Sequence, residues 1–351
     1  MIESFTIDNP DWDKVVMTFK EYDVYYLSGY VKAFQIHGDG KPVLIHYISD
    51  GMRGICVFMK RKISDLSYFT ACQDVEGYTD MITPYGYGGF IFEGETDPDT
   101  FDCFNQEFHD FLFENKIVSV FVRFHPQLRN SVIARATFNV IDLGKTIEMD
   151  LSSTDVIWSN ISSKNRNMIR KAQKSGVRIE HGHNMELLKQ FEEIYNGTML
   201  KDNADPYYFF KDEFYESIHK DLGGHYEMFY AVYEDKVVSM AIMLFANRRM
   251  HYHLSGSLYE YRSLAASNLM LYEAACWGCN QGFEHFHLGG GIGSHEDNLY
   301  RFKGAFNRNS NLQFSIGKLI VDMDMYNKLV DIRSKDEAFD RTSFFFPLYR
   351  S

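Results

Sequence analysis

The chain has 351 residues, 45% of them apolar and 16% aromatic, enough for two hydrophobic cores, and this excludes an intrinsically disordered protein. A formal net charge of −12 excludes a general nucleic-acid binder that works by neutralising phosphates, while leaving room for a local basic groove. Five cysteines in so long a chain exclude a disulfide framework. An acidic N-terminal stretch with no signal-peptide character, and no apolar run of about 18 residues, point to a cytoplasmic protein without a transmembrane segment.

Residues 43–49 (VLIHYIS) form a β-rich run, Asp50-Gly51 is a hairpin turn signal, and 54–60 (GICVFMK) reads as the returning strand. After the loop 83–89 (TPYGYGG), Phe101, Phe104, Phe108 and Phe111 recur at helical spacing and predict an amphipathic helix over 98–115. The strand 117–124 (IVSVFVRF) follows directly. Residues 152–174 read as one basic helix carrying Ile157, Trp158, Ile161, Met168, Ile169 and Ala172, with Ser152, Ser153 and Thr154 as caps, and a domain boundary falls just before it, near residue 150. Two more helices are expected over 185–198 and 207–219. Then the earlier order returns: strand 226–234, the turn Asp235-Lys236, strand 237–246, a third strand 250–256, a helix 265–281, a strand 283–288 and a glycine run. The repeated hairpin, helix and strand imply a duplicated α/β architecture with mixed sheets and crossover helices, divided as 1–150 and 151–351.

The segments with chemical potential lie mostly at strand ends and helix starts. In TPYGYGG, glycines permit close backbone approach and tyrosines offer rings with polar tips, so Tyr85, Tyr87, Gly88 and Gly89 are candidates for gripping a sugar or peptide. Arg123 and His125 close the 117–124 strand, where Arg123 suits a phosphate or carboxylate, or else a surface ion pair. Arg166, Arg170 and Lys174 share a helix face that reads either as a pyrophosphate or RNA-backbone site or as a solvated basic surface. Arg262, Ser267 and Asn268 open the 265–281 helix, whose free N–H groups suit a phosphate. Gly289, Gly290 and the residues up to His295 form a substrate-lining loop that is neither a Walker motif nor a complete G-x-G-x-x-G. Lys303, bracketed by aromatics, either stabilises an oxyanion or snorkels from an apolar stripe. Cys276 and Cys279 read as core thiols inside a helix, and His251 with His253 make only two ligands, so no metal site is expected.

Together these residues resemble the Fem family of peptidoglycan-bridge transferases and its GNAT-fold relatives, over about residues 20–320. The resemblance rests on TPYGYGG, on Arg123-Phe124-His125-Pro126, on Trp158 with Lys164-Asn165-Arg166 and Ile169-Arg170-Lys171-Ala172, on Arg262 with Asn268, on the strand before the glycine run, and on Phe302-Lys303. It implies tandem GNAT-like (acyl-CoA N-acyltransferase-like) domains and transfer of an acyl or aminoacyl group to an amine of a cell-envelope or polysaccharide precursor. Lys303 is then expected to stabilise the tetrahedral intermediate, with His253 and His295 as candidate bases. The GNAT phosphate loop, Gln/Arg-x-x-Gly-x-Gly/Ala, is matched by Arg262 but carries Ala265 and Ser267 at its small positions. The coiled-coil arm of many Fem enzymes has no counterpart here, which places the chain with compact relatives linked to envelope or polysaccharide modification. The implied co-substrate is acetyl-CoA, another acyl-CoA or an aminoacyl-tRNA, with no permanently bound cofactor. The acceptor is a small-molecule or lipid-linked amine; tRNA is a partner on the aminoacyl reading, DNA is not, and peripheral contact with the inner membrane face is compatible. The alternatives are an acetyl-CoA-dependent amino-sugar N-acetyltransferase and a non-catalytic module that binds a sugar nucleotide or envelope precursor.

Overall fold

The two hairpins expected from the sequence both form. The structure is a computed structural model that describes residues 1–70 and 72–351. It divides into one unit of Met1–Leu143 with Phe314–Ser351 and a second of Gly144–Gln313. The chain leaves the first unit along one strand and returns along another. The single boundary expected near residue 150 is therefore replaced by two crossings, and residues 314–351 belong with the N-terminal unit.

The first unit contains β1 (Ile2–Thr6), α1 (Trp12–Met17), α2 (Ser28–His37), β2 (Lys41–Ile48), β3 (Met52–Lys62), β4 (Thr79–Ile82), β5 (Ile91–Gly94), α3 (Pro98–Glu114) and β6 (Ile117–Arg123). β1, β2, β3 and β4 pair antiparallel in turn, with β5 on the other end of β3, and β4 lies parallel to β6 across the α3 crossover. Asp97 caps α3 by accepting from the N–H groups of Asp99 and Thr100, and Pro98 occupies the first turn, where its missing N–H costs nothing. The helix buries Phe101, Phe104, Phe108 and Leu112 against Tyr47, Phe58, Phe90 and Val120.

The strand that follows β6 in the chain, β7 (Asn139–Asp150), pairs with the second unit's sheet through Ile147–Asp150. β6 instead takes β13 (Leu312–Ile320) as its antiparallel neighbour. After β13, α10 (Met323–Arg333) packs Leu329 in a small core with Ile63, Phe69 and Tyr349. The Asp80 carboxylate, 1% exposed, receives bonds from Arg61, Tyr349 and Arg350. A buried carboxylate needs such partners, and here they tie the C-terminal residues to β4.

The second unit contains α4 (Thr154–Asn160), α5 (Ser163–Lys174), β8 (Arg178–Gly182), α6 (Met185–Lys201), α7 (Asp212–Asp221), β9 (Tyr226–Tyr233), β10 (Lys236–Ala246), β11 (Arg249–Ser257), α8 (Ala266–Asn280), β12 (His285–Gly289) and α9 (Asn298–Gly304). Its sheet runs β7-β12-β11-β10-β9-β8, with β11 and β12 parallel and the other neighbours antiparallel. Phe286 and Leu288 of β12 point into a core built with α5 and α8, while His285 and His287 alternate to the other face. The single helix expected over 152–174 is two: Ile161 is extended, and the Ser162 hydroxyl accepts from Asn165 N–H to start a second helix. The helix expected over 207–219 begins instead at Asp212, after a 3₁₀ turn at Pro206–Tyr208. Cys276 and Cys279 are free thiols within α8, as expected, but they are half-buried at the edge of the core rather than inside it. No helix among the described residues is long and apolar enough to cross a membrane.

The Phe104 ring meets Tyr47, Phe90, Phe92 and Phe108 at centroid distances of 4.9–5.4 Å. Phe104→Ala is expected to lower unfolding stability by about 3–5 kcal/mol, measured by urea denaturation; a loss below about 1 kcal/mol would contradict this packing.

Candidate active site

The second unit's sheet is interrupted where its two parallel strands meet α8. Between β10 and β11 the register pairs Met243 with Tyr252 but Ile242 with Leu254, so His253 is the extra residue of a β-bulge. The parallel ladder to β12 joins Arg249–His251 to His285–His287 and goes no further. β11 continues along β10 to Ser257, whereas β12 ends at Gly289. A bulge bends and twists its strand, and a straight neighbour cannot follow it. The result is a gap in the sheet at the end where α8 starts.

The N-terminus of α8 has no side-chain cap. Ala265 precedes it in the left-handed conformation (φ 57°, ψ 35°), and no acid lies in the first turn. Arg262 lies 3.9 Å over the ring of Tyr259, and Lys201 lies 4.5 Å from the same ring. The arrangement sets free N–H groups and two cations in one neighbourhood, which suits an anion. The side chains of Ser267 and Asn268 are committed elsewhere. Ser267 closes a triangle of hydroxyls with Ser239 and Ser257 at 2.8–3.1 Å, and Asn268 donates to Asn165 at 2.7 Å. Neither the serine triangle nor the bulge was foreseen, because each depends on strand register that no local motif encodes.

At the end of β12, Gly289 takes φ +78° and the chain enters a tight glycine loop. A Cβ at Gly291 would lie 2.1 Å from the His295 carbonyl oxygen, and one at Gly144 would lie 2.1 Å from that of Ser294, so the loop closes only because these positions are glycine. Asp297 receives the N–H groups of Ile292 and Tyr300 and starts α9, which brings Lys303 back under the loop. Lys303 is 9% exposed and donates to the Gly290 carbonyl oxygen at 2.8 Å. Burial lowers its pKa from 10.5 to about 8, partly opposed by Asp297. Gly290 and Lys303, separate candidates in the sequence, are thus brought together in space. His295 lies exposed on the same loop, its ring beside Gly293. Burial, with a smaller contribution from His251, lowers the pKa of His253 to about 3. That value makes it a neutral ring and a weak base at physiological pH.

Arg166 donates to the carbonyls of Trp158 and Ile161, closing the C-terminal end of α4. Arg170 lies over the Trp158 ring at 5.2 Å, and with Asn167, Lys171, Lys174 and Ser175 it lines an open cavity of about 390 Å³.

The equivalent place in the first unit is built differently. The loop after β4 continues the parallel pairing: Thr83 N–H donates to Phe121, Gly88 N–H to Arg123, and His125 N–H to Gly88. Tyr26 and Tyr30 hydroxyls bond the carbonyls of Gly89 and Tyr85. Tyr85 stacks on Phe34, and Tyr87 packs against Tyr25, His125 and Phe314. His125 is fully buried with Nε2 3.0 Å from Asp23, and Arg123 reaches the Thr83 carbonyl and the Phe121 ring. The loop therefore fills the place that stands open between β11 and β12, and Tyr85, Tyr87, Gly88 and Gly89 serve as packing and pairing elements within this unit. At α3 the first N–H groups are already taken by Asp97, and Asp99 repels an anion.

Residues 160–304, almost the whole second unit, match the family model described as an acetyltransferase (GNAT) domain. The chain carries a GNAT acetyltransferase domain and is an acyltransferase. Solved structures extend the likeness across both units as one of fold, a tandem GNAT-like arrangement. FemX matches at 15% identity over 93% of this chain and 99% of its own, with a TM-score of 0.66. A conserved protein of unknown function from Bacteroides thetaiotaomicron matches at 10% identity, 91% and 100% coverage and a TM-score of 0.59. The C-terminal domain of a putative lysylphosphatidylglycerol synthetase from Agrobacterium fabrum matches at 11% identity, 88% and 91% coverage and a TM-score of 0.54. No curated protein matches the chain in sequence.

Keeping Lys303 protonated in a buried site costs about 3 kcal/mol of folding stability by the difference between its two pKa values. The folded pKa lies below the unfolded one, so the cost is complete below pH 8 and disappears as pH rises past 10.5. Lys303→Met is expected to raise the melting temperature at pH 7 and to lose that advantage by pH 10.5. A variant less stable than the parent at pH 7 would contradict a buried, costly cation.

Proposed function

We propose that the chain transfers an acyl or aminoacyl group to an amine of a cell-envelope or polysaccharide precursor, with the donor held by the second unit. The observation that carries this reading is the difference between the two units. One has an open gap, an uncapped helix start and a buried lysine; the other has its gap filled and its helix capped by acids. A GNAT domain implies an acyl-CoA co-substrate in general. Its phosphates fit the start of α8 with Arg262, and an extended arm fits the backbone of β11 beyond the point where β12 departs.

In this reading the amine attacks the donor carbonyl, forming a tetrahedral intermediate that collapses with loss of the thiol or alcohol. Lys303, fixed by one bond to Gly290, directs its remaining N–H groups toward the oxyanion, and the loop after β12 excludes water from it. The attacking amine must be neutral, and a base of pKa about 3 is a poor acceptor for its proton. We therefore assign proton removal to His295 or to solvent at the loop, and a shape-setting role to His253. The sequence resemblance to the Fem family supports an envelope precursor as acceptor; the acetyltransferase family match supports acetyl-CoA as donor, which with an amino sugar as acceptor is the second reading.

Once a substrate pair is assayed by thiol release or amide formation, Lys303→Met is expected to lower kcat by about 10²–10³ with little change in the KM of the donor. Full activity in that variant would overturn the role of Lys303.

A further inference from the structure

A second polar cluster lies on the far side of β11, between α6 and α7. Glu192 and Asn196 are one turn apart on α6, and Asp212 is in the first turn of α7. Glu192 hydrogen-bonds both Asp212 and Asn196, and its pKa is raised, first by burial and then by Asp212. Two carboxyls this close repel each other when both are ionised, and a cation placed between them relieves that repulsion. Two buried groups are left over. The Tyr215 hydroxyl has no hydrogen-bond partner although the residue is 2% exposed, and Glu192 and Asp212 both act on it electrostatically. The Asn196 Oδ1 is likewise buried without a partner. Unpaired buried polar atoms are expensive, and two of them beside a pair of carboxyls mark a site built for something that completes them.

We propose that Glu192, Asp212, Asn196 and Tyr215 form a recognition site for the primary ammonium group of a small organic amine. An ammonium carries three donors and no acceptor. Glu192, Asp212 and Asn196 Oδ1 offer three acceptors, and the incoming cation offsets the repulsion between the two carboxylates. The Tyr215 hydroxyl then donates to a carboxylate oxygen. The surrounding wall is aromatic: Phe191 meets Tyr215 edge-on, Tyr195 lies against Phe210, and Phe210 stacks on Phe214 at 4.3 Å. Ring faces attract an organic cation, whereas Ca²⁺ needs six to eight oxygen ligands and Mg²⁺ a regular octahedron.

The site is coupled to the strand beside the gap by direct contact. A Cβ on Gly256 of β11 would lie 2.8 Å from the backbone of Ile194 and Tyr195, and Ser257 N–H donates to Thr198 of α6 at 2.9 Å. Identifying the amine with the acceptor, or with a second amino group of it, rests on the acyl-transfer reading; the binding itself does not.

The test is calorimetric titration of the full chain at pH 7 with n-butylamine and 1,4-diaminobutane, and separately with CaCl₂ and MgCl₂. Saturable one-to-one binding of an amine is expected, weakened tenfold or more by Glu192→Gln and several-fold by Tyr215→Phe, with circular dichroism unchanged. Glutamine keeps a hydrogen bond to Asp212, so the pair is not left as an unpaired charge. Binding of Ca²⁺ or Mg²⁺ but not of amines, no binding of any probe, or amine binding unchanged in both variants would overturn the proposal. Any of these results leaves thiol release by the Lys303 site to be judged on its own assay.

Discussion

The extra residue at His253 is the constraint on which the second unit's chemistry depends. One residue more on β11 than on β10 bends the strand, and β12 stops following it after three paired positions. Everything assigned to the site lies around that departure. α8 begins where the strands separate, the glycine loop leaves the end of β12, and α9 returns Lys303 beneath that loop. An α/β sheet with a continuous ladder has no room for a ligand between adjacent strands; a bulge makes room without dismantling the core behind it.

The first unit shows what happens when the same topology is closed. Its hairpin, crossover helix and parallel strand repeat those of the second, yet the segment after β4 supplies the missing backbone partners itself. Glycines that in isolation read as ligand-gripping allow this segment to lie against Tyr25, Thr83 and Phe124. An acid at the N-cap of α3 then removes the second requirement for a phosphate. One unit is open and the other filled, and the strands β7 and β13 that complete their sheets come from distant parts of the chain.

Much of this was legible in the sequence. The strands and the α3 and α8 helices fall within a few residues of the expected ranges, because period-two runs, an Asp-Gly turn and a phenylalanine stripe are local signals. The glycine run and Lys303 were each legible as separate candidates, but the bond that joins Lys303 to Gly290 was not, because it depends on the turn that α9 makes. What escaped was set by pairing at a distance. The return of β13 to β6 and the inward use of Asn268 depend on partners 100 or more residues away, the inward use of Ser267 on strand residues 10 and 28 positions back, and the split of 152–174 on a single backbone torsion at Ile161. The tyrosines of TPYGYGG turn part of their surface to the protein itself: residue type announces a capacity for contact, and only the fold decides which partner takes it up.

The central claim is that donor binding belongs to the open unit. Hydrogen–deuterium exchange of the full chain, with and without coenzyme A or its acyl thioesters, measures this directly, because amides that donate to a ligand phosphate exchange more slowly. The account predicts added protection at the start of α8 around Ala266–Leu269 and along Tyr252–Ser257 of β11, with none at the start of α3. Protection at Pro98–Phe104 or in the 83–89 loop, and none at α8, would contradict it.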